Sequence, residues 1–257
     1  MSTDLTDVRY QVAVANRVLS EVGLATGAMA SLGHASLRVP SQPDNFVVKG
    51  RGYELDALAT MRPEHMVVCD LEGKKVDGPP GSTQCYEVKM HSSIFKSRPD
   101  VQSIVHVHPR YVVLMSVLQS TLVPMCQEGI QLVRKPLPVY PHVKTVQSDE
   151  EGMEVAQTMG TARAIILQGH GATTAGKSLE ESVISMLNLE EQARMNYLAY
   201  CAAGPDHPRI PDDQIDEMTN RPPVFELAHF AESAAERRQG DPGGVWAYYS
   251  WRVSRDL

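Results

Sequence analysis

Apolar residues recur early in the chain at Val8, Val12, Ala15, Leu19 and Val22, in steps of four, three, four and three. That rhythm is one face of a helix, and Gly23 is its predicted stop. The pattern then changes. Gly33 to Arg38 predicts a turn entering a short strand, Pro40 to Asn45 a turn, and Phe46 to Lys49 a strand. Met66 to Asp70 predicts another strand, which turns at Leu71-Glu72-Gly73-Lys74 into a short partner. Gly78-Pro79-Pro80-Gly81 breaks the pattern, but the patterned chain resumes at once, so it is not a linker. A helix is predicted from about Tyr86 to Ser97, with Thr83 as its cap and Glu87 in its first turn, where a carboxylate suits the helix dipole. Ser103 to Val107 predicts a strand that stops at Pro109. Helices follow over Tyr111 to Leu118, Asp149 to Met159, and from a Ser178 cap through about Ala202. Between them, Leu132 to Tyr140 holds two prolines and predicts an edge or irregular strand, and Ala164 to Leu167 a buried one. Strands and helices are interspersed on short connections, which gives an α/β class with a mixed sheet.

Beyond Gly204-Pro205 the chain turns polar and proline-rich, yet it carries Trp246, Tyr248, Tyr249 and Trp251. Residues 204–257 are therefore expected as an aromatic tail packed on the body or on a neighbouring subunit. The 257 residues are within reach of one domain with its own core, and a single domain over 1–257 is the expectation. A net charge of −7 leaves no nucleic-acid footprint. Cys69, Cys85, Cys126 and Cys201 form no Cys-x-x-Cys pair, which argues against a zinc knuckle or a secreted disulfide framework. The N-terminus has no signal-peptide pattern, and no apolar run approaches the roughly 20 residues that span a bilayer. A soluble cytoplasmic protein is expected.

The chemistry concentrates in Ser103-Ile104-Val105-His106-Val107-His108-Pro109. Residues two apart on a strand share a face, so His106 and His108 aim two imidazoles at one place. Gln168-Gly169-His170-Gly171, after another apolar run, supplies a third imidazole between glycines that admit close backbone. Three histidines with an open position suit a catalytic divalent metal, one per subunit, and zinc, manganese, iron and cobalt all fit. Such a centre needs a proton donor or acceptor nearby. By pattern alone Glu87 is one choice beside Glu72 and Glu128. The loop Lys49-Gly50-Arg51-Gly52 places two cations on flexible backbone, which is either a site for a planar carboxylate or a solvated basic turn.

Taken in order, Gly33-x-x-Ser36-x-Arg38, Glu87-x-x-x-His91, Arg98-Pro99-Asp100, His106-x-His108-Pro109 and Gly169-His170-Gly171 resemble the class II aldolase/adducin family, from about Val8 to Ala202. The resemblance implies a three-layer α/β/α sandwich around a mixed, mostly antiparallel sheet. It implies that His106, His108 and His170 bind the metal, and that Glu87 is the acid/base and also touches the ion. It further implies a homotetramer with sites at subunit interfaces, for which Tyr140 and the Tyr248–Trp251 tail are candidates to reach a neighbour. The family's sugar-phosphate aldolases carry Gly-Asn-x-Ser and Ser-Ser-Glu where this chain has Gly33-His34-Ala35-Ser36 and Cys85-Tyr86-Glu87. Their Ser-Gly loop is replaced by Lys49-Gly50-Arg51-Gly52. These departures point from phosphate to carboxylate, and the chain resembles the branch that decarboxylates hydroxylated aromatic dicarboxylates such as 3,4-dihydroxyphthalate. The substrate contacts expected are then Ser36, Lys49, Arg51, Gly52 and Tyr86, with His34 either touching substrate or capping its turn. As a proton donor Glu87 would need a raised pKa, which a partly apolar pocket beside Tyr86 would supply. The alternatives are retro-aldol cleavage of a non-phosphorylated hydroxy-keto acid and a non-catalytic binding domain like adducin's head.

Overall fold

The predicted first helix forms as α1 (Leu5–Glu21), burying Val8, Val12, Ala15 and Leu19, and the chain turns at Gly23 with φ +83°. A meander follows: β1 (His34–Val39), β2 (Gln42–Arg51), β3 (Met66–Asp70) and β4 (Lys75–Asp77). A two-residue strand, β5 (Thr83–Gln84), pairs with Gly50 and Arg51 at the end of β2. Then come α2 (Val88–Ser97), β6 (Ser103–Val107), α3 (Arg110–Val117), α4 (Ile130–Val133) and β7 (Val139–Tyr140). The body closes with α5 (Asp149–Met159), β8 (Ala164–Leu167), β9 (Gly171–Gly176) and α6 (Leu179–Ala203). Two further helices, α7 (Asp212–Thr219) and α8 (Val245–Val253), follow. This computed structural model describes residues 5–223, 226–230, 244–255 and 257; the rest, including part of the predicted tail and the first four residues, lies outside the described residues.

The strands form one sheet in the order β4-β3-β2-β1-β6-β9-β8-β7, with β5 beside β2. Every pair is antiparallel except β7–β8. The period-two alternation of strands separates two cores. Val105 and Val107 of β6 face one, with α1 and α6; Ile104 faces the other, with α2 and α5. Helices thus cover both faces, the three-layer mixed sandwich expected. His106 shares the face of Ile104, so it looks toward the α2 layer. The register sets His34 of β1 opposite His106 and Thr173 of β9 opposite His106, a cross-strand row over three neighbouring strands.

Several expectations are corrected. Thr83 caps nothing: it is spent in β5, and α2 starts only after Glu87, whose side chain makes no capping bond. The turn placed over Pro40 to Asn45 shrinks, because β2 already begins at Gln42 opposite Val39. In Leu132 to Tyr140 only Val139 and Tyr140 are strand, at the sheet edge. β9 was not predicted: Gly171-Ala-Thr-Thr-Ala-Gly176 has small side chains and no alternation, since it is buried on both faces. Of the tail, Trp246, Tyr249 and Val253 pack against the core that holds α1, and Arg17 donates to the Val253 carbonyl, while Tyr248 and Trp251 are exposed. No helix among the described residues is long and apolar enough to cross a membrane.

Candidate metal centre

Glu87, His106, His108 and His170 converge, each offering one ligand atom with all four within 4.8 Å of one another. Three separate pieces of structure deliver them. Glu87 stands at the start of α2, His106 near the end of β6, His108 just past it, and His170 in the short turn from β8 to β9. That turn needs Gly169, whose φ is +68°. It also needs Gly171, because a Cβ there would lie 2.5 Å from the Val107 carbonyl and 3.1 Å from each of the His106 and His108 rings. The ring centroids of His106, His108 and His170 are 4.7 to 5.2 Å apart and mutually edge-on, as rings around a common centre must be.

The donor set fits a cation. His106 Nδ1 lies 3.0 Å from Thr173 Oγ1, whose hydroxyl donates to Met90 Sδ at 3.1 Å. The Thr173 oxygen is therefore free to accept, and His106 donates Nδ1–H to it. This leaves Nε2 as a bare lone pair, and that atom is buried without a hydrogen-bond partner. It faces Glu87 Oε2 at 3.2 Å, while His170 Nε2 faces Glu87 Oε1 at 3.4 Å. Two acceptors in such contact repel unless a cation lies between them. Ligands about 2.05 Å from a tetrahedral ion stand about 3.3 Å apart, which is the spacing seen.

The charges agree. Burial lowers His34 to about 4 and His108 to about 3, and it lowers His91 and His170 too, so these rings are neutral near pH 7. Burial by itself would raise Glu87, but the His106 and His34 rings outweigh it and hold the carboxyl below the ordinary carboxylate range. The raised value expected of a resting proton donor is not found; Glu87 rests as a carboxylate. The Val146 N–H donates to its Oε1 at 3.3 Å.

Behind Glu87 lies a second buried group, His34, Cys85 and His91, also within 4.8 Å of one another. It is hydrogen-bonded rather than open: His34 Nδ1 and His91 Nε2 are 2.7 Å apart, too close for two ligands of a tetrahedral ion. Burial also pushes the Cys85 thiol well up, away from thiolate. Ser36 Oγ meets His91 Nδ1 at 2.7 Å.

The remaining predicted contacts divide. Ser36 and Lys49 are buried, and each is bonded to a side chain. Asp56 accounts for Lys49: its Oδ1 holds the ammonium at 2.5 Å, and its Oδ2 holds Arg51 at 3.1 Å. The basic loop is thus neither a bare anion site nor a solvated turn, but two cations bridged by one carboxylate. Arg51 also lies over the Tyr86 ring, 4.3 Å from its centroid, and Tyr86 is 65% exposed. Gly52 follows β2 at the end of this loop. Tyr140 is buried with its hydroxyl donated to Glu154 at 2.8 Å, which removes it as a residue lent to a neighbour. Sequence reasoning missed Asp56 and Thr173. A threonine opposite His106 could be named only once β9 was known to pair with β6.

Residues 10–197 match the Class II Aldolase and Adducin N-terminal domain. The chain is 30% identical over 225 residues to a 3,4-dihydroxyphthalate decarboxylase of Terrabacter sp. (strain DBF63), covering 84% of this chain and 91% of that protein. Its fold is similar to that of an aldolase II superfamily protein from Pseudomonas syringae, with a TM-score of 0.77 at 21% identity over 99% of this chain and 95% of the other. It is similar also to L-fuculose 1-phosphate aldolase from Glaciozyma antarctica PI12, with a TM-score of 0.71 at 21% identity, covering 96% and 87%.

Proposed function

Since the chain belongs to the class II aldolase and adducin family, we propose that it is a metal-dependent carbon–carbon lyase, a decarboxylase of a hydroxylated aromatic dicarboxylate such as 3,4-dihydroxyphthalate. The observation that carries this reading is the meeting of one carboxylate with three imidazoles, two of which have a buried nitrogen without a hydrogen-bond partner. The similarity to a decarboxylase over most of both chains supports the choice of reaction. So does a guanidinium laid on an exposed tyrosine ring one residue before Glu87.

His106, His108 and His170, with Glu87, would hold the ion. When bound, a divalent cation supplies a Lewis acid that favours negative charge on a substrate oxygen. Glu87, resting as a carboxylate, takes the proton of the substrate's ring hydroxyl. It then gives that proton to the ring carbon that bears the leaving carboxylate. The new C–H bond forms, the C–C bond to the carboxylate breaks, and its electron pair passes through the ring to the hydroxyl oxygen, which a solvent proton restores. Arg51, aimed by Asp56 and Tyr86, anchors the carboxylate that stays. The protein is read as a homotetramer, and light scattering checks the mass.

The test is to incubate metal-loaded protein with 3,4-dihydroxyphthalate and, separately, with hydroxy-keto acids. Carbon dioxide from the first supports the reading; pyruvate-like fragments without carbon dioxide establish the aldolase alternative instead. Glu87→Gln is expected to lose turnover yet keep metal through the imidazoles. Full activity in that variant removes Glu87 from the mechanism.

A further inference from the structure

His34, His91 and Ser36 form a row of side chains that runs into the protein from Glu87 and stops there. Its members come from two elements. Ser36 and His34 are two apart on β1 and share a face, and His91 comes down from α2 above them. All three are buried, and both contacts within the row are 2.7 Å. Nothing in the reaction described above uses His91 or Ser36.

The direction of the row is set at its outer end. His34 Nε2 faces Glu87 Oε2 at 3.7 Å, where an N–H is favoured beside a carboxylate and a lone pair would be repelled. With its proton on Nε2, a neutral His34 presents Nδ1 as an acceptor, so His91 donates Nε2–H to it at 2.7 Å. His91 Nδ1 is then an acceptor in turn, and the Ser36 hydroxyl donates to it at 2.7 Å rather than to the Ile104 carbonyl at 3.5 Å, which is long for O–H···O. The opposite sense, with Ser36 donating to that carbonyl and each ring donating Nδ1–H inward, would satisfy the inner contacts but turn a lone pair of His34 toward Glu87.

We propose that His91 and Ser36 are positioning residues acting through His34: they lock it as the Nε2–H tautomer, so that a fixed donor faces Glu87 beside the His106 ring. The row ends at a backbone carbonyl in the core, so it orients a proton rather than importing one. It also gives His34 a role that is neither substrate contact nor turn cap. The tautomer is independent of the reaction assigned to this site; only its kinetic consequence rests on the reading of Glu87 above.

The experiment has two arms. In the first, zinc-loaded protein labelled with 15N-histidine is studied by long-range 15N–1H correlation. His34 and His91 are each expected to show a protonated Nε2 and a bare Nδ1, assigned by loss of signals in His34→Gln and His91→Gln. A protonated Nδ1 on His34 overturns the proposal whatever the activity. In the second arm, carbon dioxide release from 3,4-dihydroxyphthalate is followed for His91→Phe, His91→Gln and Ser36→Ala. His91→Phe, which fills the space without a donor, is expected to lower kcat about tenfold or more with KM little changed. His91→Gln, whose amide can donate to His34 Nδ1, is expected to recover most of that loss, and Ser36→Ala to fall between them. Equal kcat in the Phe and Gln variants overturns the proposal. If the wild type releases no carbon dioxide, the functional reading has failed, and the labelled spectrum still decides the tautomer.

Discussion

Gly171→Ala tests whether the ligand geometry depends on a residue with no side chain. A Cβ at this position would sit 2.5 Å from the Val107 carbonyl oxygen and 3.1 Å from His106 Cε1 and His108 Cδ2. Relief requires β9 to move away from the end of β6 by about half an ångström or more, given ordinary contact distances. The two strands are paired there, Val107 opposite Ala172, so the move must strain the ladder or swing the two rings. Overpacking of this kind costs about 1–3 kcal/mol of stability. A ligand set displaced by about half an ångström is outside the tolerance of a metal site, and a loss of about 10- to 100-fold in affinity is expected. The assay is competition for zinc against a chromophoric chelator, with thermal melting of the metal-free protein beside it. Gly176→Ala is the control: it crowds the far end of the same strand, with its Cβ 2.9 Å from Ser182 Oγ and 3.0 Å from Glu181 Cβ. That variant is expected to melt earlier but to bind zinc as the wild type does. A folded Gly171→Ala protein with unchanged zinc affinity would refute the reasoning.

Three further outcomes are expected. Thr173→Val keeps shape but leaves His106 Nδ1–H without an acceptor, so zinc affinity falls about 10- to 100-fold in the chelator competition; unchanged affinity would show that the threonine does not set the ring. Asp56→Asn strips the counter-charge from a lysine that is 1% exposed, and urea unfolding is expected to show a loss of about 3–5 kcal/mol, which Lys49→Met in the same chain largely reverses. In metal-free protein, stability is expected to fall with acid. Between pH 6.5 and about 4 the unfolded chain binds a proton at His34 that the folded chain refuses, so the contribution is complete above pH 6.5 and is lost by about pH 4. This one ring accounts for roughly 3 kcal/mol. A melting temperature that is flat across that window would contradict it.

Much of this was legible along the chain. Strong periodicity located α1, α5 and α6, and the His-x-His pair located β6, because those signals depend only on local sequence. The Ser178 cap is local too, its hydroxyl accepting from the backbone three residues on. What escaped depends on pairing. β9 has no hydrophobic alternation to detect, since its Ala, Thr and Gly are small and all six residues are buried. Lys49 looked like a free cation because its partner, Asp56, lies seven residues on, across a bend that composition does not reveal. Glu87 looked like a first-turn residue of a helix, whereas the pull of β5 toward β2 delays α2 and leaves the carboxylate just outside it.

Two imidazoles on adjacent strands, His34 and His106, stack with centroids 5.3 Å apart and both turn Nε2 toward the same carboxylate. Their similarity ends at that atom. His106 has an acceptor at its other nitrogen, the Thr173 oxygen, so its proton is drawn away from Glu87 and a lone pair is left facing the ion site. His34 has a donor at its other nitrogen, His91 Nε2–H, so its proton is pushed toward Glu87. One is thereby fitted to hold a cation and unable to donate; the other is fitted to donate and poorly able to hold a cation. The distinction cannot be found in the rings or in their distance from Glu87. It resides one residue further out, in a threonine and a histidine that touch neither the ion site nor the carboxylate. Exchanging the two outer partners in kind, an acceptor for His91 and a donor for Thr173, should exchange the two roles.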